Sequence, residues 1–171
     1  MRNLAILCAI LIGSAGAAAA QTTPSPSPST SPPPPPPYGA PIDLARAERA
    51  IAASIAEATR RGWTMNVAVV DSGTNLVAFA RMDGAQLASI AIAEHKAKAA
   101  AAFRRPTRAF EEAAHNGPAV LSLDGAIAAA GGVPLIEDGK LIGALGCSGG
   151  ASGEDEATCL AGAATINGSG N

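Results

Sequence analysis

Between Thr22 and Pro37 the chain carries nine of its thirteen prolines, six of them in one run from Pro32 to Pro37, interleaved with Ser and Thr. Proline fixes φ and has no N–H to donate, and the residues around it prefer water, so this stretch cannot bury a core. It is expected to be a disordered leader with a semi-rigid polyproline spacer, residues 21–40, and folding has to start after it. What remains, residues 41–166, is the size of one domain, with a short flexible tail at 167–171.

Upstream of the prolines, Arg2 gives a positive start, Leu4 to Ile12 a short apolar run, and Ala18, Ala19 and Ala20 a small-residue end. That order of charge, apolar run and small side chains is the pattern of a secretory signal, residues 1–20, cut before Gln21. Cys8 lies inside the apolar run and leaves with it. The expected location is periplasmic or extracellular, with no stable membrane span after cleavage, because the segment fades into Gly and Ala well short of a spanning length. The net charge of −2 and the scattered basic residues give no footprint for nucleic acid.

Tyr38, Trp63, Phe79, Phe103 and Phe110 are the only aromatics, while alanine and glycine dominate, so the core must be tight and built from small side chains. Leu44, Ala47, Ile51, Ile55 and Ala58 recur at helical spacing between a capping Asp43 and a stop at Gly62, which predicts a helix to Arg61. Val67–Val70 and Leu76–Ala80, joined by the turn formers Asp71 to Asn75, read as a hairpin. A second helix is expected from Gln86 to Phe103, with Leu87, Ile90, Ala93, Ala97 and Ala100 on its buried side. Its other face, with His95 among Ala88, Ala91, Lys98 and Ala102, is alanine-rich and suits an interface.

A short third helix opens at Pro106 and Thr107 and ends at Asn116, with His115 in its last turn facing the negative end of the dipole. Strands are expected at Ala126–Ala130, at Val133–Ile136 and, after the Asp138-Gly139 turn, at Leu141–Leu145. Gly146 to Gly150 form a glycine-rich loop leading into a helix announced by a capping box of Ser152 and Asp155. Strand, glycine loop and helix start are the parts of an anion cradle at Ser148, Gly149 and Gly150, or of a tight turn that merely needs glycine. Cys147 and Cys159 are compatible with one disulfide, with two separately buried small side chains as the alternative.

Taken in order, Asp71 to Gly73, Arg81-Met82-Asp83-Gly84-Ala85, Ser89 with Lys96-Ala97 and Phe103, Gly131-Gly132-Val133-Pro134, Asp138-Gly139, and Gly143 to Gly146 leading into Ser148 to Gly150 and Asp155 resemble the GlcG/HbpS family of haem-binding and haem-degrading proteins. The resemblance spans Leu44 to about Ala164. It implies an α+β, profilin-like fold, an antiparallel sheet flanked by helices, in homo-oligomers up to octamers. It also implies haem or a related porphyrin as ligand, for scavenging, sensing or degradation.

Haem iron takes His, Met, Cys or Tyr, and the candidates here are His95, His115, Met65, Met82, Cys147, Cys159 and Tyr38. Where family members use a histidine near the first helix, this chain has none between Pro41 and Gly62. His95 and His115 are the candidate iron ligands. Lys96 is expected to pair a buried carboxylate or meet a ligand carboxylate such as a propionate, with Ser148, Gly149 and Gly150 cradling the propionates. Arg81 and Asp83 are expected as an ion pair beside the hairpin, with a place on the pocket rim as the alternative. The alternative function is an oligomeric enzyme or accessory protein that holds a small carboxylic or aromatic acid in an inter-subunit pocket through Lys96, Asp83 and Asp155.

Overall fold

The computed structural model describes residues 33–167; the expected export signal, the linker up to residue 32 and the tail beyond Asn167 lie outside the described residues. The elements are α1 (Leu44–Arg61), β1 (Asn66–Asp71), β2 (Leu76–Arg81), α2 (Ala88–Phe103), α3 (Arg108–His115), a 3-10 turn (Pro118–Ser122), β3 (Gly132–Glu137), β4 (Lys140–Ser148) and α4 (Ser152–Asn167). The four strands form one antiparallel sheet in the order β2-β1-β4-β3. This is the expected α+β, profilin-like arrangement. Among the described residues no helix is long and apolar enough to cross a membrane.

The strands alternate as their pleat requires, and the two faces differ in side-chain size. On one face Val67, Val69, Leu135, Leu145 and Cys147 pack with Ala47, Ile51, Ala58, Cys159 and Ile166 of α1 and α4. On the other, Ala68, Val70 and Ala144 meet Ala93, Ala97, Ala100 and Ala101 of α2. Small residues are needed there because the helix touches the sheet backbone: a Cβ on Gly146 would collide with the carbonyl of Ala93 and the N–H of Ala97. The aliphatic layer is stapled by a disulfide between Cys147 of β4 and Cys159 of α4, Cα atoms 5.6 Å apart.

Asp43 caps α1, its carboxylate accepting from the N–H of Arg46 at 2.8 Å, and Gly62 ends it in a left-handed conformation. Ordered pairing begins before the expected domain start at residue 41. The N–H of Leu141 donates to Pro37 O, the N–H of Gly39 to Leu141 O and that of Ile42 to Ile142 O, so this stretch lies along β4 beyond the end of β1.

Three expectations need correction. Ala126–Ala130 is not a strand: the segment is irregular, with bends at Ala128 to Ala130, between Gly125 and Gly131, both at positive φ, and alanine has little preference for a pleated sheet. Leu87 is 70 % exposed, because α2 begins one residue later and turns its small residues to the sheet. The box at the start of α4 is shifted by one. Ala151 O accepts the first helical bond from Asp155 N, and Glu154 reaches back to Ala151 N at 3.0 Å, which frees Asp155 for another task.

Candidate functional site

That task is at the corner where β4 enters α4. Asp155 turns its carboxylate inward: Oδ1 accepts from the N–H groups of Gly149 and Gly150 at 3.0 and 2.9 Å, and Oδ2 from Lys96 Nζ at 2.6 Å. Lys96 also donates to Cys147 O at 3.2 Å, and the two side chains are only 2 % and 4 % exposed. Burial pushes the Asp155 carboxyl above its ordinary value, against the downward pull of Lys96 and the two glycine N–H groups. The backbone makes room at Gly131, φ +116°, where a Cβ would meet Cys147 O, the Asp155 side chain and Lys96 Nζ within 3.1 Å.

Of the two tasks expected for Lys96, the structure places it in the first, pairing a buried carboxylate. The cradle expected at Ser148 to Gly150 is filled from within. Its two glycine N–H groups already hold an anion, and Ser148 is buried beside them. Arg81 and Asp83 are both exposed and form no ion pair, because the turn after β2 directs them into solvent. Lys96, Asp83 and Asp155 therefore do not share a pocket. The polar set expected for a small acid is split between a sealed pair and a solvated carboxylate.

The donor atoms able to hold a haem iron can be sorted one by one. Cys147 and Cys159 are bonded to each other. Met65 is fully buried, and the sulfur of Met82 accepts the Met65 N–H at 3.4 Å. The Tyr38 hydroxyl donates to Ala102 O at 2.8 Å. A groove of about 350 Å³, lined by Pro36, Arg104, Pro134, Ile136 and Leu160 among others, contains none of these residue types. His95 and His115 remain, both exposed and far apart in setting. His115 is the last residue of α3, with exposed Glu112 before it and exposed Asn116 after it.

His95 sits differently. At 100° per residue Leu87, Ala88, Ala91, Ile92, His95, Lys98 and Ala102 share one arc of α2, and all seven are exposed. The arc is apolar apart from the imidazole and one ammonium group. Leu121 and Leu123, 64 % and 47 % exposed, belong to the segment whose Gly125 carbonyl lies 3.2 Å from His95 Nε2. A carbonyl only accepts, so in the neutral ring Nε2 carries the proton and the Nδ1 lone pair is left for a ligand. A flat tetrapyrrole needs an apolar face, a donor atom within it and cations for its carboxylates, and these residues fit that group. The contact of Gly125 with His95 was not legible in the sequence, because the loop reaches α2 across thirty residues.

A family model described as haem degrading protein HbpS-like matches residues 42–164. The protein GlcG of Escherichia coli K12 is 38 % identical over 109 residues, covering 60 % of this chain and 77 % of GlcG. An uncharacterized 15.0 kDa protein of Citrobacter freundii is 34 % identical over 121 residues, covering 68 % and 85 %. The crystal structure of HbpS superposes with a TM-score of 0.70 at 30 % identity, covering 75 % of this chain and 92 % of that one. A crystal structure of a PduOC–haem complex does so with a TM-score of 0.67 at 26 % identity, covering 74 % and 96 %. The family model spans well over half of the chain, and the chain belongs to the GlcG/HbpS family.

Proposed function

We propose that this protein binds haem or a related tetrapyrrole on the outer face of α2 and that it works outside the cytosol, in scavenging, sensing or degradation of haem. The observation that carries this reading is the exposed imidazole of His95 at the centre of a helical arc whose other residues, Lys98 apart, are apolar. Membership of a family described as haem-degrading, and likeness to a protein solved with haem, support the ligand class.

When bound, haem supplies a redox-active iron; the chain supplies its setting. The Gly125 carbonyl orients the His95 ring, as backbone carbonyls commonly do for metal-binding imidazoles. Ala88, Ala91, Ile92 and Leu87 offer apolar surface that releases water when a flat ring covers it. Lys98, held loosely by Glu94 at 3.4 Å, offers an ammonium to a carboxylate edge. Lys96, Ser148, Gly149 and Gly150 hold the β4–α4 corner beneath α2 and keep that helix seated. The Cys147–Cys159 disulfide supports export, since such bonds persist in oxidising compartments. Assembly into homo-oligomers is part of the same reading.

The test is a haemin titration of the purified protein followed by absorbance and by melting temperature, beside a panel of small carboxylic and aromatic acids. A saturable Soret shift with a haemin-dependent rise in Tm is expected. No shift at micromolar haemin, with a Tm rise for a small acid instead, overturns it.

A further inference from the structure

Arg104 ends α2 in a left-handed conformation, φ +53°, at a helix terminus where glycine or asparagine is the usual occupant because a longer side chain makes that backbone costly. Its guanidinium is held in place all the same. The guanidinium carbon lies 5.1 Å from the centre of the Tyr38 ring, and the Tyr38 hydroxyl is itself tied to Ala102 O. Arg104 Nη1 donates to Pro36 O at 3.3 Å, next to Pro37, whose carbonyl is fixed to β4 by the N–H of Leu141. A guanidinium carries five donors; among the described residues a single one is spent, on Pro36 O, and no carboxylate reaches the group.

This cation lines the groove of about 350 Å³, a volume at the small end of the range for ligand sites. Pro36, Pro106, Val133, Pro134, Ile136 and Leu160 supply apolar lining, and the Leu160 side chain is left half in water. The proline rings among them are rigid and lose no rotamer freedom when a ligand covers them. Asn167, the other polar side chain in the lining, is occupied with β3: its Oδ1 accepts from the N–H of Ile136 at 2.8 Å and its Nδ2 donates to Pro134 O at 3.3 Å. A molecule entering the groove therefore meets apolar surface and one guanidinium with donors to spare.

We propose that this groove is a binding site for a monocarboxylate with an apolar, ring-sized body, its carboxylate on Arg104 and its body against the proline and aliphatic side chains. Charge complementarity selects the anion: a guanidinium offers two parallel N–H groups that match a carboxylate, and a neutral amide answers only part of that fork. The apolar lining selects the rest of the molecule, since a second charge on it would be desolvated against Ile136 and Leu160 without a partner. The left-handed backbone at Arg104 agrees, because costly conformations gather where the placement of a side chain is used. The site stands apart from the haem face: the groove shares no residue with the arc around His95 and holds no side chain of the iron-ligating types.

The test adds naphthylacetate, or its neutral amide naphthylacetamide, to the full chain and follows the protein's methyl resonances by NMR. Saturable shifts are expected at Val133, Ile136 and Leu160, with Leu121 and Leu123 unmoved, and the amide is expected to bind roughly tenfold more weakly. Arg104→Gly suits the left-handed backbone, so it is expected to fold and to weaken naphthylacetate by roughly the same tenfold factor. Haemin titration of Arg104→Gly is expected to match that of the native chain, so a failure in the groove and a failure on the α2 face are read separately. Equal affinity for acid and amide, undiminished binding by Arg104→Gly, shifts confined to Leu121 and Leu123, or no shift at millimolar naphthylacetate each overturn the proposal. Shifts of the groove methyls on protein dilution, with none on adding the acid, also overturn it and assign the groove to another copy of the chain.

Discussion

Asp155 shows how one side chain changes the meaning of a motif. A glycine loop before a helix advertises an anion site, and here the anion is supplied by the helix itself: Asp155 satisfies two glycine N–H groups and the only buried ammonium of the described core. Removing one partner of such a pair strands the other charge, so Asp155→Ala is expected to lose about 3–5 kcal/mol of unfolding free energy in a urea titration. Lys96→Met combined with Asp155→Leu is expected to lose less than Asp155→Ala alone. A loss under 1 kcal/mol for Asp155→Ala, roughly that of a surface pair, contradicts the sealed pair. At the surface, Arg60 and Arg61 hold the Glu57 carboxyl down at about 2. A depressed carboxylate contributes stability above its ordinary value of 4.5 that is lost as pH falls toward about 2. Glu57→Gln is therefore expected to flatten the acid side of a Tm–pH curve and leave the neutral side unchanged in shape.

At the scale of elements, the close seating of α2 on β4 is the feature most sensitive to volume. Gly146→Ala drives a methyl group into the α2 backbone and is expected to cost about 1–3 kcal/mol, read as a lowered denaturation midpoint with an unchanged slope. Reducing the Cys147–Cys159 bridge, which joins residues 12 apart in sequence, is expected to cost about 3 kcal/mol by chain entropy; a midpoint unmoved by reductant under denaturing conditions contradicts this. Most elements were legible because their signals are local: Asp43 and Gly62 bracket α1, and turn residues bracket the β1–β2 hairpin. The Ala126–Ala130 strand was misread because an alanine run has no period to distinguish strand from loop. The shifted cap at Ala151 hid the role of Asp155, since Glu154 and Asp155 are adjacent and either spacing is plausible. The partnership of Lys96 with a residue 59 positions away, and of His95 with Gly125, depends on tertiary contact that no local pattern encodes.

For the whole molecule, the two faces of the sheet divide the labour. The α1–α4 side carries the larger aliphatic side chains and the disulfide, and supplies most of the burial. The α2 side is a thin alanine layer whose outer surface stays apolar and holds His95. A helix face of that kind suits the flat ligand proposed above. His95 is the residue proposed to hold the ligand on that face. That assignment is tested most directly by titrating haemin into the native protein, His95→Ala and His115→Ala in parallel and following the Soret band. Saturable binding is expected in the native protein and His115→Ala, with the band lost or converted to that of free haemin in His95→Ala; an unchanged spectrum in His95→Ala, or its loss only in His115→Ala, overturns the assignment.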